Sequence, residues 1–227
     1  MKCDVLFRII GGKRVYEVED HHHVLIPWAE ERKRLGQPFH VLTLDHHTDT
    51  LPVYTHYHET HPGETHQILY SPETISDALD DMRHDEHFDF AVKNNIICSA
   101  AIFSHVNFAV DVNPAVKIVH TPPAEGEEAA YYARILETDF LMENLRSAPV
   151  TMPYVLDIDL DVFKGERSIQ PSDPACFYEL IRNAEAITIS RERDWVRLLN
   201  LDYGKLQYTY FLERLYQHIE KAMSANA

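Results

Sequence analysis

The sequence has few of the features that mark secreted and membrane proteins. Its 227 residues include only three cysteines, and Cys3, Cys98 and Cys176 show none of the paired spacings of disulfide frameworks or zinc sites. The apolar stretch over residues 1–10 is short and contains Arg8, so it lacks the run that a secretory signal or a membrane span requires. These absences predict a cytoplasmic protein with no membrane partner.

Basic residues are also scarce. The chain has 21 lysines and arginines against 36 aspartates and glutamates, which gives a formal net charge of -15. Nucleic acid is therefore not expected as a partner, because phosphate binding depends on clustered Lys and Arg, whereas a cationic substrate is compatible with this charge. Histidine, by contrast, is abundant: the chain has 15, many of them between His21 and His66. Since imidazole is the commonest protein ligand for metals, this concentration favours a metal site.

Apolar and β-branched runs alternate with helical patterns along the chain. The runs predict strands over residues 5–10, 15–18, 39–44, 116–120, 154–160 and 186–190. The helical patterns predict helices over residues 23–35, 127–145 and 208–222, one that opens at Ser71 and Pro72, and one that follows Asp173 and Pro174. This alternation predicts a single α/β domain over residues 1–227, with a mostly parallel sheet covered by helices on both faces. Active sites in such sheets lie at the carboxyl ends of strands.

The strongest chemical signal is a D-x-H-x-D spacing directly after an apolar strand. It comprises Asp45, His47 and Asp49. Alternate residues of an extended chain share a face, so these three side chains should converge at the end of the strand. Two carboxylates and one imidazole suit Mn, Fe or Zn. The alternative is that ordinary polar residues begin a loop there.

A second acidic pattern lies within another strand-like run. Asp157, Asp159 and Asp161 alternate there with apolar residues, and no basic residue follows until Lys164. Buried unpaired carboxylates would be very unfavourable, and a metal would relieve them. The alternative is an edge strand whose aspartates face water. Taken with the first motif, however, four aspartates from two strands would nearly neutralise two divalent cations.

A histidine triplet provides a third signal. His21, His22 and His23 lie between a predicted strand and the first predicted helix, so that one of them can reach a site at the same edge of the sheet. The alternative, a solvated helix start, applies to at least one of the three. Periodicity does not choose between His21 and His22.

Together these motifs resemble a known group of enzymes. A D-x-H-x-D strand followed by a D-x-D strand is similar to the binuclear manganese motif of the arginase and agmatinase superfamily. With residues 18–25, 103–106 and 188–191, the chain more closely resembles the arginase-like family that contains peptide arginases. The resemblance implies an arginase/deacetylase-like three-layer fold, two Mn²⁺ ions, and hydrolysis of arginine residues in a precursor peptide to ornithine and urea.

The resemblance also implies roles for particular residues. It selects His21 from the triplet, leaves Asp161 without a direct role, and predicts six metal ligands: His21, Asp45, His47, Asp49, Asp157 and Asp159. Glu192 occupies the place of a carboxylate that accepts hydrogen bonds from the guanidinium, although a solvated glutamate in a mixed-charge run is the alternative. The proton donor to the leaving amine stays open among five histidines: His56, His58, His61, His66 and His105.

Other functions are compatible with the same residues. The substrate could be free arginine or agmatine instead of a peptide. A deacetylase-like relative would hydrolyse an amide with one zinc ion, although such sites use fewer carboxylates. A histidine-rich metal-binding protein would bind metal through residues 56–66 and would not need Asp157 or Asp159. The sequence leaves assembly into a homo-oligomer open.

Overall fold

The computed structural model describes residues 4–63, 75–109, 111–120, 122–201 and 205–224. Within these residues the chain forms seven strands: β1 (Leu6–Ile10), β2 (Lys13–Val18), β3 (Phe39–Asp45), β4 (Ile97–Ser104), β5 (Val116–His120), β6 (Tyr154–Asp159) and β7 (Ala186–Ser190). The same residues form nine α-helices: α1 (Leu25–Leu35), α2 (Thr55–Thr60), α3 (Ile75–Asp80), α4 (His87–Lys93), α5 (Glu128–Tyr132), α6 (Thr138–Ser147), α7 (Ala175–Asn183), α8 (Arg193–Leu199) and α9 (Tyr208–Ser224). Short 3-10 turns cover His21–Val24, Leu160–Val162 and Glu166–Ile169.

The seven strands form one sheet in the order β1-β2-β7-β6-β3-β4-β5. β1 pairs with β2 in antiparallel fashion, and every other neighbouring pair is parallel. The carboxyl ends of β2, β7, β6 and β3 therefore lie side by side at one edge. Segments that follow these four strands can place side chains in one common site.

Helices cover both faces of the sheet. On β3, Leu42 and Leu44 belong to a core shared with α6, α7 and α9, while Phe39 and Val41 belong to a core shared with α1, α3 and α4. The side chains of a strand alternate between its faces, so these two cores lie on opposite sides of the sheet. The predicted three-layer α/β/α fold with a mostly parallel sheet is confirmed.

The sequence-based elements differ from the structure in several places. Strand β4 was missed, because its centre is built from Ser99, Ala100 and Ala101, which have weak strand propensity. The helix predicted over residues 127–145 is divided into α5 and α6. The helix start predicted at Ser71 and Pro72 lies outside the described residues. Among the helices that are described, none is long and apolar enough to cross a membrane.

Candidate metal centre

Strand register brings the two aspartate motifs together. In the parallel pair of β3 and β6, Thr43 lies opposite Asp157 and Leu44 lies opposite Ile158. Asp45 and Asp159, the last residues of these strands, thus lie next to each other at the carboxyl edge. Both are buried, with 0% and 2% of their surface exposed. Two buried carboxylates side by side repel each other unless a cation lies between them.

His21 lies in the middle of this acidic edge. Its Nδ1 atom is 3.0 Å from an Asp49 oxygen, 3.3 Å from an Asp45 oxygen and 3.4 Å from an Asp159 oxygen. A protonated ring nitrogen can donate only one hydrogen to these three carboxylates. The Oδ2 atom of Asp45 makes no hydrogen bond with any residue that the structure describes. The ligand atoms of His21, Asp45 and Asp159 form one group that could hold a divalent cation, and His21 and Asp49 belong to a second such group.

The other ring nitrogen of His21 contacts Asp157. Its Nε2 atom is 2.7 Å from Asp157 Oδ2, and the hydroxyls of Thr43 and Thr188 donate to the same carboxylate at 3.2 Å and 2.5 Å. Asp157 therefore lies on the side of the imidazole that faces away from the three carboxylates. Metal-binding histidines generally donate their second ring N–H to such a carboxylate, which fixes the orientation of the ring.

A second group forms around His47. Its Nδ1 atom is 3.1 Å from Asp161 Oδ2 and 3.9 Å from Asp45 Oδ1. The Asp161 side chain is fully buried, and the chain turns after β6 so that the Asp161 N–H donates to Asp159 Oδ1. Asp45 belongs to both groups. The sequence prediction gave Asp161 no direct role, yet the structure places it with His47.

The electrostatics of the cluster indicate too few positive charges. Burial, together with the charge of Asp49, raises the pKa of Asp45 to about 6, and burial beside Asp161 raises the pKa of Asp159 well above its ordinary value. Burial works to lower the pKa of His47, but the Asp161 carboxylate raises it to about 9. Lys164, a buried neighbour whose ammonium donates to the Asp161 carbonyl, has its pKa lowered by burial to about 8. Two divalent cations would supply the missing charge.

Glu192 joins the cluster from the end of β7. Its carboxylate accepts the backbone N–H of His21 at 2.8 Å, and burial, with the nearby charge of Asp161, raises its pKa to about 8. Glu192 has a φ of 37° and Asp49 has a φ of 47°, both in the left-handed region that side chains rarely adopt. Such backbone conformations often occur at functional sites.

Two cavities open next to the cluster. One, of about 360 Å³, is lined by residues that include Asp20, His22, Asp80, Arg83, His84, Glu192 and Trp195. The other, of about 290 Å³, is lined by residues that include His47, Asp49, Asp85, His84, Phe108 and Trp195. His84 and Trp195 line both cavities, and the Trp195 ring packs edge-on against His47 with 5.2 Å between centroids. A small molecule can therefore reach the cluster beside Trp195.

Four of the five histidines predicted as proton donors lie within the described residues. His56 pairs with Asp85 at 3.2 Å, while His58 and His61 are exposed on and just after α2. His105 is buried and bonds to the Val162 carbonyl, with its other ring nitrogen 3.4 Å from the Tyr131 hydroxyl. His66 lies outside the described residues.

The sequence prediction missed His87. This fully buried histidine packs against His21 with 4.5 Å between ring centroids. It belongs to the run His84-Asp85-Glu86-His87, 38 residues beyond Asp49 in the printed sequence. The H-x-x-H spacing of that run is a sequence signal for a metal ligand, and the sequence prediction did not use it.

Comparisons with known proteins bear on the fold. No family model and no curated protein matches the chain. The structure is similar to a hypothetical agmatinase from Burkholderia thailandensis, with a TM-score of 0.52 and 12% identity over 94% of this chain and 60% of that chain. It is also similar to the proclavaminate amidino hydrolase of Streptomyces clavuligerus, with a TM-score of 0.49 and 14% identity over 91% of this chain and 63% of that one. The chain thus spans less than two thirds of the length of these structures. At 12% identity, the likeness to the agmatinase structure is a likeness of fold.

Proposed function

We propose that the chain is a binuclear metal hydrolase that cleaves the guanidinium group of arginine residues in a peptide, giving ornithine and urea. The observation that carries this proposal is the convergence of Asp45, Asp49, Asp159 and Asp161 on two imidazoles at one sheet edge. An agmatinase of similar fold is consistent with guanidinium chemistry.

The geometry supports a definite assignment of ligands. One ion would be held by His21, Asp45, Asp49 and Asp159, and the other by His47, Asp45 and Asp161. Asp45 would bridge the two ions. Asp157 would support His21 from behind, which differs from the direct ligand role that the sequence predicted for it. Hard carboxylates with one imidazole for each ion suit Mn²⁺.

The protein side chains would hold and orient the substrate. Two divalent ions, when bound, lower the pKa of water so that it can act as a nucleophile near neutral pH. Glu192 lies beside His21 and also lines the larger cavity, where its carboxylate can accept paired N–H bonds from a guanidinium. A guanidinium there would favour the charged form of Glu192 and would add a cation to an acidic cavity wall.

The size and lining of the two cavities support a peptide substrate. His84 and Trp195 line both cavities, and the rim carries exposed aromatic surface: Trp195 is 37% exposed and Phe108 is 71% exposed. One cavity has room for an arginine side chain. The second cavity and the aromatic rim leave space for the neighbouring residues of a peptide, which free arginine and agmatine lack.

Mass spectrometry of substrates incubated with the manganese-loaded protein tests this proposal. Arginine-containing peptides should show the mass loss of ornithine formation with matching release of urea, faster than free arginine or agmatine. The variant Asp45→Asn should abolish the reaction, whereas Asp139→Asn, at an exposed ion pair with Arg134, should not change it. No urea from any of the three substrates, or full activity in Asp45→Asn, would contradict the proposed function.

A further inference from the structure

His87 presents a buried ring nitrogen that has no partner. It is the first residue of α4 and is fully buried. Its Nδ1 atom lies 2.8 Å from the His84 carbonyl oxygen, and since a carbonyl can only accept, Nδ1 carries the hydrogen. The Nε2 atom therefore holds a lone pair. It makes no hydrogen bond with any of the residues in the described part of the chain.

The neighbours of His87 explain why a cation is the fitting partner. A ring nitrogen of His87 lies within 4.8 Å of the ligand atoms that His21 and Asp49 offer. The rings of Trp28 and Phe88 pack against it at 5.7 Å and 4.4 Å between centroids, and the indole N–H of Trp28 is already donated to Thr188. The Trp28 indole N–H is therefore not available to the lone pair, and Phe88 has no donor to offer. A buried acceptor without a donor is unfavourable, whereas a bound ion would use that lone pair directly.

We propose that His87 is a ligand of the ion held by His21 and Asp49, so that this ion has two imidazoles and the ion at His47 has one. The inference rests on the proposed binuclear site and extends it. A second nitrogen makes this position softer than a carboxylate-rich manganese site. It should therefore favour Co²⁺ or Zn²⁺ over Mn²⁺ more strongly than the His47 position does.

Metal titration of His87→Phe tests the proposal. Phenylalanine suits the aromatic surroundings and removes both ring nitrogens, although its ring is larger by one atom. The matched control is His40→Phe, since His40 is also buried, also bonds through Nδ1 alone, to Ser99, and also leaves Nε2 unpaired, but lies at the other end of β3. Competition with a chelator should show a loss of affinity of at least about ten-fold for one of two Co²⁺ ions in His87→Phe. The control should bind both ions as the wild type does.

A measurement on the wild-type protein covers the case in which His87→Phe does not fold. In crystals soaked with Mn²⁺ or Co²⁺, anomalous maps should place an ion within about 2.2 Å of His87 Nε2, an ordinary metal–imidazole distance. Ions at both positions with a water or a substrate atom on His87 Nε2 would overturn the inference and leave the proposed function intact. Unchanged cobalt affinity in folded His87→Phe would do the same. If the wild type bound no metal at all, the proposed function itself would fail.

Discussion

The two halves of the His/Asp cluster differ in burial. The His21 half is closed: its imidazole side chain is 1% exposed and faces carboxylates on both ring nitrogens. The His47 half is open: its side chain is 24% exposed and lies against Trp195 beside a cavity. This difference in exposure implies that the two proposed ions would differ in how readily they exchange with solvent. The closed half would retain its ion, and the open half would exchange its ion more readily.

Asp45 is the residue that the two halves share, so its loss should have the largest effect. Asp45→Ala removes one oxygen ligand from each group and should lower urea release by more than about 100-fold, the upper range for partners that only support a ligand. Elemental analysis after dialysis should show that both ions are lost. Retention of one ion would mean that Asp45 does not bridge the halves.

Asp157 distinguishes support of His21 from direct metal binding. Asp157→Asn should weaken binding at the closed half by about 10 to 100-fold, because the His21 ring loses its charged partner, while the open half keeps its affinity. Titration with Mn²⁺ would resolve the two sites. Asp159→Asn is the comparison variant, since that residue faces Nδ1 directly. If Asp157→Asn affected binding as severely as Asp159→Asn, Asp157 would be a ligand, as the sequence motif suggested.

Glu192 should affect substrate binding and leave the ions in place. Glu192→Gln keeps the shape and one acceptor oxygen but loses the charge, so kcat/KM for a guanidinium substrate should fall about ten-fold, near the lower range for a hydrogen bond to a charged group. Steady-state kinetics beside elemental analysis would separate the two effects. Lost metal in this variant would show that Glu192 belongs to the closed half itself.

The smallest effect concerns the opposite end of β3, away from both halves. Burial lowers the pKa of His40 to about 4, below the ordinary value of 6.5. The folded state thus favours the neutral form of His40. The contribution of this neutral form to the free energy of unfolding is complete above pH 6.5 and is lost as the pH falls toward 4. Unfolding by urea should show a loss of about 2 kcal/mol from this residue between pH 7 and pH 5. His40→Phe should lose correspondingly less over that interval, and an identical slope would contradict the assignment.

Much of the fold could be predicted from the sequence, and the reasons are local. The strands near residues 39–44, 154–160 and 186–190 are β-branched and apolar, and their burial in a parallel sheet produces that composition. β4 could not be found in the same way, because the serine and alanine residues at its centre have low strand propensity.

The site was predictable only where its residues are close in sequence. The spacing of Asp45, His47 and Asp49 indicated a common site, and the structure brings all three to the cluster. Period-two spacing alone could not rank Asp157 against Asp161, because both lie on the same face of an extended strand. The two residues differ because β6 ends at Asp159 and the chain turns there. Asp161 consequently lies beside His47, whereas Asp157 lies beside His21. His87 comes from a distant segment, so only tertiary packing brings it to His21.

The left-handed backbone at Asp49 and Glu192 has a consequence for the engineering of this chain. Residues with a Cβ atom adopt that conformation at a cost of about 1–3 kcal/mol, and glycine would relieve it. Both residues are also acids in an already repulsive surrounding, so their removal would lower two unfavourable contributions at once. A search for heat-resistant variants would therefore select replacements at these two positions first, and each gain in robustness there would be made at the expense of turnover.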